Sequence, residues 1–156
     1  MAIDIRKGSH MSTFPSKILS MMGNGGHVYN LVMGADSDNG SLAGRGSYVS
    51  FDQYDQAAAP NGFAGVVLEQ AASGRWYVEV TAVPASAELL YVYNAPVSEY
   101  AEKDFQDESL FYNKAGEVAQ GATLHIGDVF EISENGFNQT PTAGDTVTYV
   151  GGVYTI

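Results

Sequence analysis

Four Asn-Gly pairs, Asn24-Gly25, Asn39-Gly40, Asn61-Gly62 and Asn135-Gly136, fall between short apolar runs and punctuate the whole chain. Both residue types tolerate positive φ, so each pair marks a turn. With 18 Gly, 10 Tyr and 7 Phe in 156 residues, and few stretches of good helix formers, this predicts a strand-and-turn protein. β-Branched and aromatic enrichment places strands at His27–Met33, Ser47–Phe51, Gly65–Gln70, Arg75–Val83, Glu88–Asn94, Thr123–Ile126, Asp128–Ser133, Thr146–Val150 and Gly152–Ile156. The clearest is Trp76-Tyr77-Val78-Glu79-Val80-Thr81. There Trp76, Val78 and Val80 share one face and Tyr77, Glu79 and Thr81 the other, the period of two of a half-buried strand, with Trp76 expected as a core anchor.

The expectation is an all-β, single-domain barrel or sandwich of about nine short strands with one or two short helices. The helical candidates are Ser16–Met22 after Pro15, and Ser98–Phe105 with Ser98 as cap and Glu102 in the first turn. The stretch from Asp36 to Ser47 is polar and glycine-rich without periodicity, and reads as a mobile surface loop. Gly8-Ser9-His10-Met11 reads as an expression-tag remnant running into the natural start. Without residues 1–10 the chain is long enough for one domain that buries about 70% of the surface its unfolded chain exposes, with residues 12–26 as an N-terminal arm and 27–156 as one β domain.

The chain has no cysteine, which excludes disulfides, thiolate metal sites and cysteine nucleophiles. Its longest apolar runs, such as Leu89–Tyr93, fall far below the ~18 residues of a membrane-crossing helix, and no signal peptide precedes Ser12, so no membrane is expected as a partner. Seven Lys+Arg stand against 18 Asp+Glu, a net charge of −11. Lys17, Arg45, Arg75, Lys103 and Lys114 are scattered singly, so nucleic acid is not an expected partner either. The acidity serves solubility or meets an electropositive partner.

Three constellations bear on chemistry. Asp36-Ser37-Asp38-Asn39-Gly40 alternates oxygen ligands, but Gly40 is fifth and Ser47 twelfth, out of register for a calcium loop, and the stretch reads as an ordinary polar turn. Glu99, Glu102, Asp104, Asp107 and Glu108 form an acidic connection: a solvated or partner-contact face, or, as a less favoured alternative, the carboxylate pair of a glycosidase. His27 and His125 lie far apart in no ligand pattern, and both read as strand residues. No metal, cofactor or catalytic residue is assigned. Phe14, Ile18, Leu19 and Met22 in the arm, with Glu99, Glu102, Asp104 and Asp107, are the candidate partner contacts; the arm's apolar residues alternatively cover the end of the β core.

The order of segments carries a resemblance. Gly46–Phe51, Gly65–Gln70, Trp76–Val83 and Glu88–Asn94 are followed by Phe111–Gly121, Leu124–Ser133 and Ala143-Gly144-Asp145-Thr146-Val147. Across most of residues 20–150 this resembles small structural proteins of tailed bacteriophages that decorate or cement the head. The resemblance implies a non-enzymatic virion protein, made in the host cytoplasm, that binds the major capsid protein and often forms homotrimers. The rival expectation is a carbohydrate-binding or fibre-type β module in which exposed tyrosines such as Tyr48, Tyr54 and Tyr91 stack on sugar.

Overall fold

The structure, a computed structural model, describes residues 11, 13–18, 27–94 and 112–156. They build eleven strands: β1 Thr13–Lys17, β2 Val28–Val32, β3 Leu42–Tyr48, β4 Gln53–Ala57, β5 Ala64–Gln70, β6 Trp76–Ala82, β7 Leu90–Tyr93, β8 Val118–Thr123, β9 Val129–Ile132, β10 Thr146–Val150 and β11 Val153–Thr155. One six-stranded sheet runs β1-β9-β6-β5-β10-β11, and β2-β4-β3-β7-β8 closes into a small barrel. The all-β, single-domain expectation holds. A single 3-10 turn at Glu134–Gly136 is the helical content of the described residues.

Two apolar cores meet at β7. Leu90 and Val92 point into the barrel beside Leu31, Met33, Ala43 and Ala119. Tyr91, on the opposite face, joins Leu42 and Ala122 of the barrel to Val78, Val80, Phe130, Ile132, Val147 and Tyr154 of the six-stranded sheet. A strand buried on both faces explains the unbroken apolar run 89–93, where alternation would leave polar residues facing a core. The second core is rich in aromatic rings: Tyr154 lies against Phe63, Phe130, Phe137 and Tyr149 with ring centroids 5.0–6.0 Å apart. The hydroxyl of the fully buried Tyr154 donates to the Gly40 carbonyl, and that of Tyr91 meets Thr13 Oγ1 at 2.8 Å, so neither polar tip is stranded.

Several sequence expectations need correction. The helix expected from Ser16 does not start there, because Thr13–Lys17 is a strand paired with β9. Pro15 is compatible because β1 is the sheet's edge, where a missing N–H breaks no ladder, and the register shifts between Phe14 and Lys17. The second half of the expected mobile loop from Asp36 to Ser47 is β3, and the glycines there serve close packing. A Cβ on Gly44 would lie 2.6 Å from the Ala58 carbonyl oxygen, and one on Gly46 2.7 Å from that of Asp55. The strand expected at Ser47–Phe51 is the end of β3 and a turn, and β4 was not foreseen because Gln53-Tyr54-Asp55-Gln56-Ala57 carries no β-branched residue. The strand expected at Thr123–Ile126 lies earlier, at Val118–Thr123. His27 immediately precedes β2, and His125 sits in the β8–β9 connection, so neither is a strand residue. Trp76 is only half-buried at the core's flank. The helix expected at Ser98–Phe105 lies outside the described residues.

Two outcomes are expected. Tyr154→Phe removes the donor to Gly40 and costs about 1–2 kcal/mol, whereas Tyr154→Ala opens a cavity among four rings and costs about 3–5 kcal/mol, measured by urea unfolding. Gly44→Ala forces β3 from its neighbour and costs about 1–3 kcal/mol, contrary to the near-neutral effect a mobile loop would show.

Candidate functional site

Of the partner contacts expected from the sequence, Phe14 is 49% exposed on the edge strand β1, whereas Ile18 is 1% exposed and belongs to the core between the sheets. Ile18 is therefore corrected from partner contact to core residue, the role the sequence offered as the alternative for the arm's apolar side chains. Leu19, Met22, Glu99, Glu102, Asp104 and Asp107 lie outside the described residues.

The roots of the acidic connection are described, and they are clasped. Asn94, immediately after β7, donates through Nδ2 to Asn113 Oδ1 at 3.0 Å. Asn113 is 2% exposed and donates to Asn39 Oδ1 at 3.0 Å and to the Ser37 carbonyl at 3.2 Å. Asn39 in turn donates to the Asn94 carbonyl and accepts from the Asn94 backbone N–H at 3.0 Å. The three asparagines form a closed ring, completed where the Asn39 side chain meets the backbone of Asn94, and Ser37 and Asn113 also pair through their backbones. The clasp thus ties together Asn94 and Asn113, which flank the stretch 95–111 with its five carboxylates and Lys103 in the sequence. The calcium-like residues beside it act on the backbone: Asp36 accepts from the Ala115 N–H at 2.9 Å and Asp38 from the Met11 N–H at 3.0 Å. Among the described residues no cluster of three or more His, Asp or Glu is placed to hold a metal ion.

A second surface lies on the barrel, where Tyr29 and Tyr54 pack against the barrel core. Tyr48, 61% exposed, packs edge-on against Tyr54, and Tyr54 against Tyr29. The Arg45 guanidinium lies 4.8 Å from the Tyr29 ring centre and 5.2 Å from that of Tyr54, within cation–π range. Tyr29 and Thr123 donate to Glu88 at 2.9 and 2.8 Å, and His27 Nδ1 stands 3.8 Å from the same carboxylate. Arg45 and Glu88 line an open groove of about 580 Å³ with Gly44, Ala57, Pro60 and Ser86. Partial burial opposes ionisation of Glu88, yet the hydrogen bonds from Thr123 and Tyr29, with the charges of Arg45 and His27, hold its carboxyl below the usual range. A glycosidase acid needs the opposite displacement. Of the tyrosines expected to stack on sugar, Tyr91 is corrected: it is wholly buried.

The sequence missed both sets of partners. Arg45, Tyr29, Glu88 and Thr123 come from β2, β3, β8 and the connection before β7, and no spacing along a chain reveals a cluster assembled across strands. It also missed the β3–β4 turn. There Phe51 and Asp52 have φ of 51° and 61°, the positive values of a type I′ turn normally filled by Asn-Gly. Non-glycine residues in this region carry roughly 1–3 kcal/mol of strain each.

Because the folded Glu88 carboxyl lies below its unfolded value, its stabilisation is present above the ordinary glutamate pKa of about 4.3 and is lost as pH falls through the folded value. Exposure limits it to under about 1 kcal/mol. Wild type is expected to exceed Glu88→Gln in stability at pH 7, with the gap closing on acidification below about pH 4.3, as measured by urea unfolding across pH.

Compared with known proteins, the chain matches no family model, no curated protein sequence and no solved structure.

Proposed function

We propose that this chain is a non-catalytic structural protein of a bacteriophage virion, made in the host cytoplasm, which binds the major capsid protein on the assembled head and stabilises the shell. The observation that carries the reading is the asparagine clasp, which joins, on an all-β scaffold, the residues that flank the stretch bearing Glu99, Glu102, Asp104 and Asp107 in the sequence. With a net charge of −11, the favoured partner surface is electropositive. The resemblance of the segment order to head decoration proteins supplies the partner's identity. Stabilisation then follows from mass action: a ligand that binds the assembled shell and not its free subunits shifts assembly by RT ln(1 + [L]/Kd). Association of three copies multiplies modest contacts into avidity.

The test is co-sedimentation of the purified protein with heads of the encoding phage. Binding is expected to weaken with added salt, and the E99Q/E102Q/D104N/D107N variant is expected to bind at least about tenfold more weakly, since loss of four interfacial carboxylates removes most of the charge complementarity. Heads that bind no wild-type protein overturn the proposal.

The exposed ring of Tyr48 beside Tyr54, next to the Arg45–Glu88 groove, favours a second reading as a carbohydrate-binding module. Glycan-array binding that is lost in Tyr48→Ala would favour it.

A further inference from the structure

The β3–β4 hairpin ends in a local conflict. Eight described glycines adopt positive φ, among them Gly40 and Gly62 of Asn-Gly pairs, while Phe51 and Asp52 are the non-glycine residues of the described chain that do so. The chain thus uses the unstrained solution where a turn only has to reverse direction. At this tip it holds two strained residues instead, and the Phe51 side chain is 90% exposed and so adds nothing to the core. Strain retained without a packing return points to use elsewhere.

The tip is braced. Gln53 N–H donates to the Ser50 carbonyl at 3.0 Å and Val49 N–H to that of Gln53 at 2.8 Å. The Tyr48 hydroxyl accepts from the Asp52 N–H, and Asn30 Nδ2 donates to the Asp52 carbonyl, both at 3.4 Å. Phe51 is thereby presented on a preorganised support, with Val49 and Tyr48, 47% and 61% exposed, extending the apolar surface beneath it. Asp52 and Asp55 are exposed on the same hairpin. The tip lies at the opposite end of β3 from the asparagine clasp.

We propose that Phe51 is an anchor which inserts into an apolar socket on a partner protein, with Lys or Arg at the socket's rim facing Asp52 and Asp55. A second copy of the chain fits less well, because its Lys and Arg residues are scattered singly along the chain and offer no basic rim in the sequence. An anionic membrane is disfavoured by the same carboxylates. The inference rests on the head-binding reading, and it adds a second contact at the far end of the barrel, the arrangement by which one small protein can bridge two neighbouring subunits.

The test is the double variant F51N/D52G, which installs the preferred type I′ pair. Removing the strain is expected to raise Tm by about 2–4 °C, while removing an aromatic anchor weakens co-sedimentation with heads by about 30-fold or more. Light scattering is expected to show unchanged self-association, and neutral phosphatidylcholine vesicles to bind neither protein. A variant that binds heads as tightly as wild type, or is no more stable, overturns the inference and leaves the head-binding reading standing. Loss confined to self-association or to vesicle binding reassigns the tip and also overturns it. Heads that bind no wild-type protein overturn both.

Discussion

Burial of β7 on both faces is the constraint from which the rest of the structure follows. Its even-numbered residues, Leu90 and Val92, fill the barrel, and Tyr91 between them carries the barrel's apolar surface onto the six-stranded sheet. Full burial of each such side chain contributes about 1.5–3 kcal/mol. The position of β7 also fixes polar order around it: the Tyr91 hydroxyl meets Thr13 and so holds the edge strand β1, and Asn94 at the strand's end enters the asparagine ring. Core and asparagine clasp are thus joined by one four-residue strand.

The parts of this fold that were legible in the sequence are those with one buried face or with β-branched density. Arg75–Val83 showed its alternation, and Val78 and Val80 do face the core; Thr146–Val150 matches β10. What failed was the reading of glycine and polarity as mobility. Gly44 and Gly46 sit where two strands approach too closely for a Cβ, a requirement set by a neighbour distant in sequence. The polar β4 is held by pairing with β2 and β3 and not by its own composition. Pro15 marked an edge strand as readily as a helix start, and only the sheet order decides between them.

The surfaces were less legible than the scaffold, for a related reason. The acidity of 95–111 is visible in composition, but the clasp at its root joins Asn39, Asn94 and Asn113 across three separate segments. The aromatic row on the barrel likewise draws Tyr29, Tyr48 and Tyr54 from three strands, with one guanidinium over Tyr29 and Tyr54. Phe51 looked like the last residue of a strand, because nothing in a sequence distinguishes an apolar residue paired in a ladder from one held out at a turn. Its positive φ is a property of the hairpin register alone.

The central claim is that the chain acts by binding an assembled shell, and it is tested most directly by the thermal stability of phage heads lacking this protein, measured as purified chain is added back. The account predicts a disruption temperature that rises with protein concentration and levels off at saturation, as mass action requires. A disruption temperature unchanged at every concentration would contradict it.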